Sequence, residues 1–182
     1  MTGQQEHEPE STSTLPIDPS ASSLRFERGL RTVALALVSA VVLLGISGNL
    51  GVRVESSSAS GNGIIIDVTY AKVTRGGLAT PFAITVTAAE GSALPAALTV
   101  GVTSDYLALF DDNGLEPTPS RSYNTTETTW WTFEVEEGED NLVVELDARL
   151  EPAVQWGKDA TAEVWVDGRR MVGTEFKTWV MP

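Results

Sequence analysis

The chain contains no cysteine. That removes disulfides, thiolate metal sites, a cysteine nucleophile and a lipid-modified cysteine from consideration. It has one histidine, His7, which lies in a polar N-terminal stretch. A folded domain further along therefore has no histidine for a Ser-His-Asp triad, a zinc site or a general base. Positive charge is scarce too: 12 Lys and Arg stand against 25 Asp and Glu, a net charge of −13. From Arg53 to Pro182, 20 of those acids meet nine of those bases, about −11. No basic stripe interrupts them. Such a surface repels a phosphate backbone, which excludes nucleic acid as a partner and argues against anionic lipid headgroups. High acidity also keeps an exported domain soluble.

What the chain does have is one long uncharged run. Between Arg31 and Arg53 lie 21 residues without charge, Thr32 to Val52. As a helix at about 1.5 Å per residue, that run spans roughly the 30 Å hydrocarbon core of a bilayer. The residues before it are Glu, Ser, Thr, Pro and Gln without a large apolar cluster, so 1–29 reads as a disordered tail. Arg25, Arg28 and Arg31 abut the run on its N-terminal side, and only Arg53 is close on the other. The positive-inside bias then keeps the N-terminus in the cytoplasm and puts the C-terminal part outside the plasma membrane. The leader is long and the run exceeds the 7–15 residues usual for a cleaved signal, which favours a retained signal anchor over 30–52. SSSAS at Ser56–Ser60 keeps cleavage after Ala59 open as an alternative. The composition of 53–63 predicts a flexible linker.

Residues 64–182 read as one β-rich domain. Ile64–Val73, Pro81–Ala88, Ala97–Val102, Tyr106–Phe110, Trp130–Glu136, Leu142–Leu150, Ala162–Val166 and Val172–Val180 are rich in β-branched and aromatic residues, and turn signals separate them. DDNGLEPTPS reads as a loop and Asp167–Arg170 as a hairpin turn. The pattern predicts an all-β fold, an antiparallel immunoglobulin-like sandwich of seven or eight strands.

ITVT at Ile84–Thr87, LTVGV at Leu98–Val102, WTF at Trp131–Phe133 and LVVELDARLEP lead to a strand with VDG, and Pro152 to Gly157 stands, one residue longer, where a P-x-x-x-G turn is expected. This order resembles the CARDB-type and conserved-repeat immunoglobulin-like domains of bacterial surface proteins, over about Tyr70 to Gly168. Two departures stand out. Ala88, Ala89, Glu90 and Gly91 replace the Asn-x-Gly that usually follows the ITVT strand, and the DDNGLEPTPS loop is long. The resemblance implies adhesion, spacing or binding outside the cell. It does not imply catalysis.

Carboxylates are plentiful, but Asp111, Asp112, Glu136, Glu137, Glu139 and Asp140 sit in turns, where acids are usual, so neither an enzyme nor a cofactor is predicted. Asp111 and Asn113 alternate as in a fragment of a calcium loop, then the pattern stops; an Asn-Gly turn explains them better. Asn124-Thr125-Thr126 matches a glycosylation acceptor in a Thr-rich loop. Tryptophan placement says more. Successive strand residues face opposite sides. Trp131, Phe133 and Val135 then share one face of their strand, and Trp130 lies on the other with Thr132 and Glu134. Trp165 lies with Glu163 and Asp167, and Trp179 with Lys177 and Met181. Trp130, Trp165, Trp179 and Met181 are therefore the candidate binding patch. A protein partner is the first expectation for it, and a glycan or cell-wall polymer the alternative. If the hairpin brings their strands together, Trp165 and Trp179 are expected as neighbours.

Overall fold

The computed structural model describes residues 21–46, 51–151 and 157–181, without the side chains of 21–28, 112 and 113. The expected disordered tail falls largely outside these residues, as does most of the Pro152–Gly157 turn. Two compact units emerge, divided after Gly48.

The first unit contains one helix, α1 (Ala21–Ile46). Its segment Gly29–Ile46 is long and apolar enough to cross a membrane, and suits a membrane anchor or a signal sequence. The helix starts nine residues before the expected position 30. Leu24, Arg25, Glu27 and Arg28 are acceptable helix formers, and Glu27 and Arg31 have i,i+4 spacing, so nothing stops the helix short of Ala21.

The second unit holds ten strands: β1 (Arg53–Gly61), β2 (Ile64–Arg75), β3 (Phe82–Ala88), β4 (Ala97–Thr103), β5 (Phe110–Glu116), β6 (Arg121–Asn124), β7 (Thr128–Glu134), β8 (Asn141–Leu150), β9 (Lys158–Val166) and β10 (Arg169–Met181). A one-turn helix, α2 (Ser104–Leu107), follows β4. Nine strands form a continuous hydrogen-bonded path, β5-β8-β3-β2-β10-β9-β4-β7-β6, and β1 pairs with β2 beside it. The sheet curls so that its inward residues meet in one core. Period-two burial drives this. Leu142, Val144, Leu146, Ala148 and Leu150 of β8 point inward, as do Phe82, Ile84, Val86 and Ala88 of β3. From the far half come Leu98, Val100 and Val102, with Trp131, Phe133, Ala162, Val164 and Phe176. Each large apolar side chain buried here contributes about 1.5–3 kcal/mol, and no disulfide assists.

The sheet is mixed, where sequence reasoning predicts purely antiparallel layers. The reason is strand length. β10 has 13 residues and β9 has nine. β10 pairs antiparallel with β9 as far as Thr178, then overruns it, and Trp179, Val180 and Met181 pair parallel with Val73, Thr74 and Arg75 of β2. Side chains of β1 complete this seam. The Ser57 hydroxyl bonds Thr174 Oγ1 (2.8 Å) and the Glu175 carbonyl (2.9 Å), and Asn62 Nδ2 donates to the Met171 carbonyl (2.7 Å).

Several local expectations are corrected. Residues 53–63, read as a linker, are β1 and a tight turn, because β2 offers a full-length partner from Ile64 to Val73. Tyr106, placed on a strand by its composition, lies in α2 and is fully buried. Part of the DDNGLEPTPS stretch is β5, paired with β8 through a register shift between Asp112 and Leu115. That shift is where Asn113 and Gly114 sit, so turn chemistry here makes a bulge rather than a loop. β6 carries no apolar run and lies behind Pro117 and Pro119, which hid it.

Beneath the seam, Tyr70, Phe82, Tyr106, Phe110 and Phe176 pack ring on ring, with centroids 5.0–6.4 Å apart. The Thr178 hydroxyl donates to the Ala71 carbonyl (2.7 Å), which leaves the Tyr106 hydroxyl to donate to Thr178 Oγ1 (3.0 Å). Thr178→Val strands the Tyr106 donor, at a cost of about 1–3 kcal/mol. Tyr106→Phe leaves the Thr178 bond intact and costs about 1 kcal/mol. Urea unfolding followed by tryptophan fluorescence should rank the two in that order. Burial also raises the Tyr106 phenol above its usual 10.0. The folded state thus holds this proton more tightly than the unfolded chain. The stability is complete below pH about 10 and is lost as pH rises further. Tyr106→Phe should move alkaline unfolding to higher pH.

Candidate binding surface

The outward face of β6, β7, β4, β9 and β10 collects side chains from distant parts of the chain. In register, Tyr123 of β6 lies opposite Trp130 of β7, Trp130 opposite Gly101 of β4, and Gly101 opposite Glu163 of β9, which faces Gly173 of β10. The adjacent outward row runs Arg121, Thr132, Thr99, Trp165, Arg170.

The two glycines shape this face. A Cβ at Gly101 would fall within the ring of Trp130, so its absence lets the indole lie down on β4. A Cβ at Gly173 would meet the Arg170 guanidinium in the same way. Tyr123 and Trp130 are nearly parallel, 18° apart with centroids 6.2 Å apart. Trp165 stands edge-on to Trp130, at 88° and 5.6 Å. Such an arrangement suits the aromatic quadrupole, whose positive edge meets a negative face. Glu163 fixes the third ring: its carboxylate accepts Trp165 Nε1–H (2.9 Å) and binds Arg170 Nε (3.0 Å). Thr99 and Thr132 bond each other across the strands (3.1 Å). Trp130 and Trp165 are half-buried, while Tyr123 keeps 49% of its surface exposed. The result is an aromatic floor with one aromatic wall, bordered by Arg121, Arg170 and Glu163.

The expected faces of the strands are those observed. Trp131, Phe133 and Val135 are buried, and Trp130, Trp165 and Trp179 point out. The expected grouping is different. Trp130 and Trp165 meet, but Trp179 does not join them. Thr178 aligns with Lys158, so Trp179 lies level with Gly157, eight residues from Trp165 along β9. At about 3.3 Å per residue that is about 26 Å. Trp179, 49% exposed, has Lys177 Nζ 4.7 Å from its ring centroid, and Met181 beyond it is half-buried. Near Trp179 an open cleft of about 740 Å³ includes Glu55, Tyr70, Lys72, Asp159 and Lys177. Lys72 Nζ lies 2.8 Å from Glu55 and holds that carboxyl below its usual range. Tyr123 was missed because β6 was missed. Its one signal is an aromatic residue in a polar stretch shortly before a Trp-rich strand.

Asp111 is exposed on β5 opposite Arg149, and the Asn113 side chain lies outside the described residues. Among the described residues, no three His, Cys, Asp or Glu side chains gather as a metal ion would require. Arg31 is exposed on α1, and the Arg25 and Arg28 side chains lie outside the description. No protein-family model, no curated protein and no solved structure matches this chain.

Because Trp130 occupies the space a side chain at position 101 would need, Gly101→Ala should lift the indole off β4 and cost about 1–3 kcal/mol. The change should appear as altered near-UV circular dichroism from the Trp130–Trp165 pair. In a Trp130→Ala background the same Gly101→Ala change should cost little.

Proposed function

We propose that the chain is a single-pass membrane protein whose β unit is a non-catalytic binding module outside the cytoplasm. The observation that carries this is the array of Tyr123, Trp130 and Trp165 on an outward sheet face. Aromatic side chains of this kind supply large contact area at low entropic loss, and they dominate the energetics of protein interfaces. The rings are pre-set by Gly101 and Glu163, so little order remains to be imposed on binding. Arg121, Arg170 and Glu163 form the polar rim that gives a protein partner its orientation. Arg25, Arg28 and Arg31 before the apolar run support a cytoplasmic N-terminus. The two halves of the curled sheet, facing each other across one core, are compatible with an immunoglobulin-like sandwich of the CARDB type, adapted by the β10 crossover.

A photoreactive residue placed at Tyr123 in intact cells tests the reading. The expected outcome is a defined protein adduct that is absent when the probe sits at Glu145 of β8. It should also disappear when Trp130→Ala is added to the Tyr123 probe. Recovery of lipid and uncoupled chain alone would exclude a protein partner.

A further inference from the structure

Trp179 stands apart from the aromatic surface at Trp130, and its surroundings have a different character. Along the seam, β10 is joined to β1 and β2 at two places. Ser57 bonds Thr174 and the Glu175 carbonyl, and further on Trp179 pairs with Val73. Between these places no ladder joins the strands among the described residues, and only the buried Thr178 side chain reaches across to Ala71. The open cleft of about 740 Å³ lies over this gap. Glu55 and Lys72 line it from β1 and β2, and Glu175, Lys177 and Trp179 from β10. Asp159 and Thr161 border it from β9. Tyr70 and Phe176, with ring centroids 5.0 Å apart, are buried beneath.

The polar groups are already held in place. The Glu55 carboxylate accepts from Lys72 Nζ (2.8 Å) and from the Tyr70 hydroxyl (3.1 Å). Asp159 binds Lys177 Nζ (3.0 Å), which also lies 4.7 Å from the Trp179 ring centroid. Both lysines that line the cleft are therefore shared with acids. Glu175 has no ion-pair partner among the described residues, and Arg53 stands close enough to Lys72 to repel it.

We propose that this cleft binds a neutral polysaccharide. A pyranose with equatorial substituents carries C–H groups on its faces and hydroxyls around its rim. Its C–H face suits the negative face of an indole, and Trp179 is 49% exposed to receive one. The rim needs donors and acceptors side by side, because a hydroxyl is both. A carboxylate bound to one lysine keeps lone pairs free, and that lysine keeps protons free, so each Lys–acid pair offers both kinds of partner. An anionic glycan would instead meet Glu55, Asp159 and Glu175 with no unshared lysine to hold it. Groups already paired lose little freedom on binding. An open cleft holds part of a longer chain, whereas a small ligand is usually enclosed over most of its surface. The site is eight residues from Trp165 along β9, about 26 Å, so it does not depend on the protein-binding reading of the Trp130 surface.

The full chain, in a polyoxyethylene detergent that carries no sugar, is titrated by calorimetry with cellohexaose, chitohexaose, hexagalacturonate and hexalysine. The expected result is binding of a neutral hexamer, unchanged when the salt is raised about tenfold because no charge is neutralised. Trp179→Ala should weaken it about tenfold or more, the loss of a stacked ring and its buried area. Trp179→Tyr should keep much of the affinity, and Glu55→Gln should lower it several-fold. Near-UV circular dichroism checks that each variant is folded, and the Tyr variant carries the test if the Ala variant is not. Failure of both neutral hexamers to bind overturns the proposal. So does tighter binding of hexalysine or hexagalacturonate, which would make this a site for a basic peptide or an acidic polymer. Neutral binding that survives Trp179→Ala and is lost with Trp165→Ala also overturns it, by moving the glycan to the other surface.

Discussion

Strand β10 has to satisfy two neighbours at once. Over most of its length its backbone groups belong to β9, and over its last three residues they belong to β2. A strand can change partners without leaving buried polar groups orphaned only if the ladders meet end to end. Here the handover falls at Thr178, whose buried side chain bonds the Ala71 carbonyl and the Tyr106 hydroxyl at that point. The five-ring cluster packs around the same residues. The curl of the sheet, the single core and the join between its halves all follow from this handover. It also accounts for a domain of this size that closes without a disulfide: the crosslink is a strand.

Much of the architecture was legible. β3 and β8 were recognisable as strands, and β7 alternates so regularly that its inward residues Trp131, Phe133 and Val135 could be named. What was hidden formed for reasons that do not reside in the segment itself. β1 is Ser-rich and buries little, and it is a strand because β2 needs a partner. β5 contains Asn-Gly, which signals a turn, yet the edge of β8 recruits it as a bulged strand. α2 buries Tyr106, an aromatic residue that composition alone assigns to a strand.

The binding surface was legible by face and illegible by row. Knowing that Trp130 and Trp165 point outward follows from period two. Knowing that they touch requires the register of β7 on β4 and of β4 on β9, and no local signal gives that. The separation of Trp165 from Trp179 is different, since the turn at Asp167–Gly168 leaves Trp165 close to the hairpin bend and Trp179 far along the returning strand. The expectation that they are neighbours ignored that count: Trp165 lies two residues before the turn and Trp179 eleven after it. Glycine at 101 was the other unread clue: a residue without a side chain, mid-strand and opposite a tryptophan, marks where a ring can lie flat.

The conversion of an expected linker into β1 changes what this stretch does for the β unit. Eleven flexible residues would give a root-mean-square span of about 18 Å and hold nothing together. Folded back along β2, the stretch is tied by its ladder to one strand and, through Ser57 and Asn62, to β10. A segment without an apolar run is thereby a clasp between the two halves of the sheet.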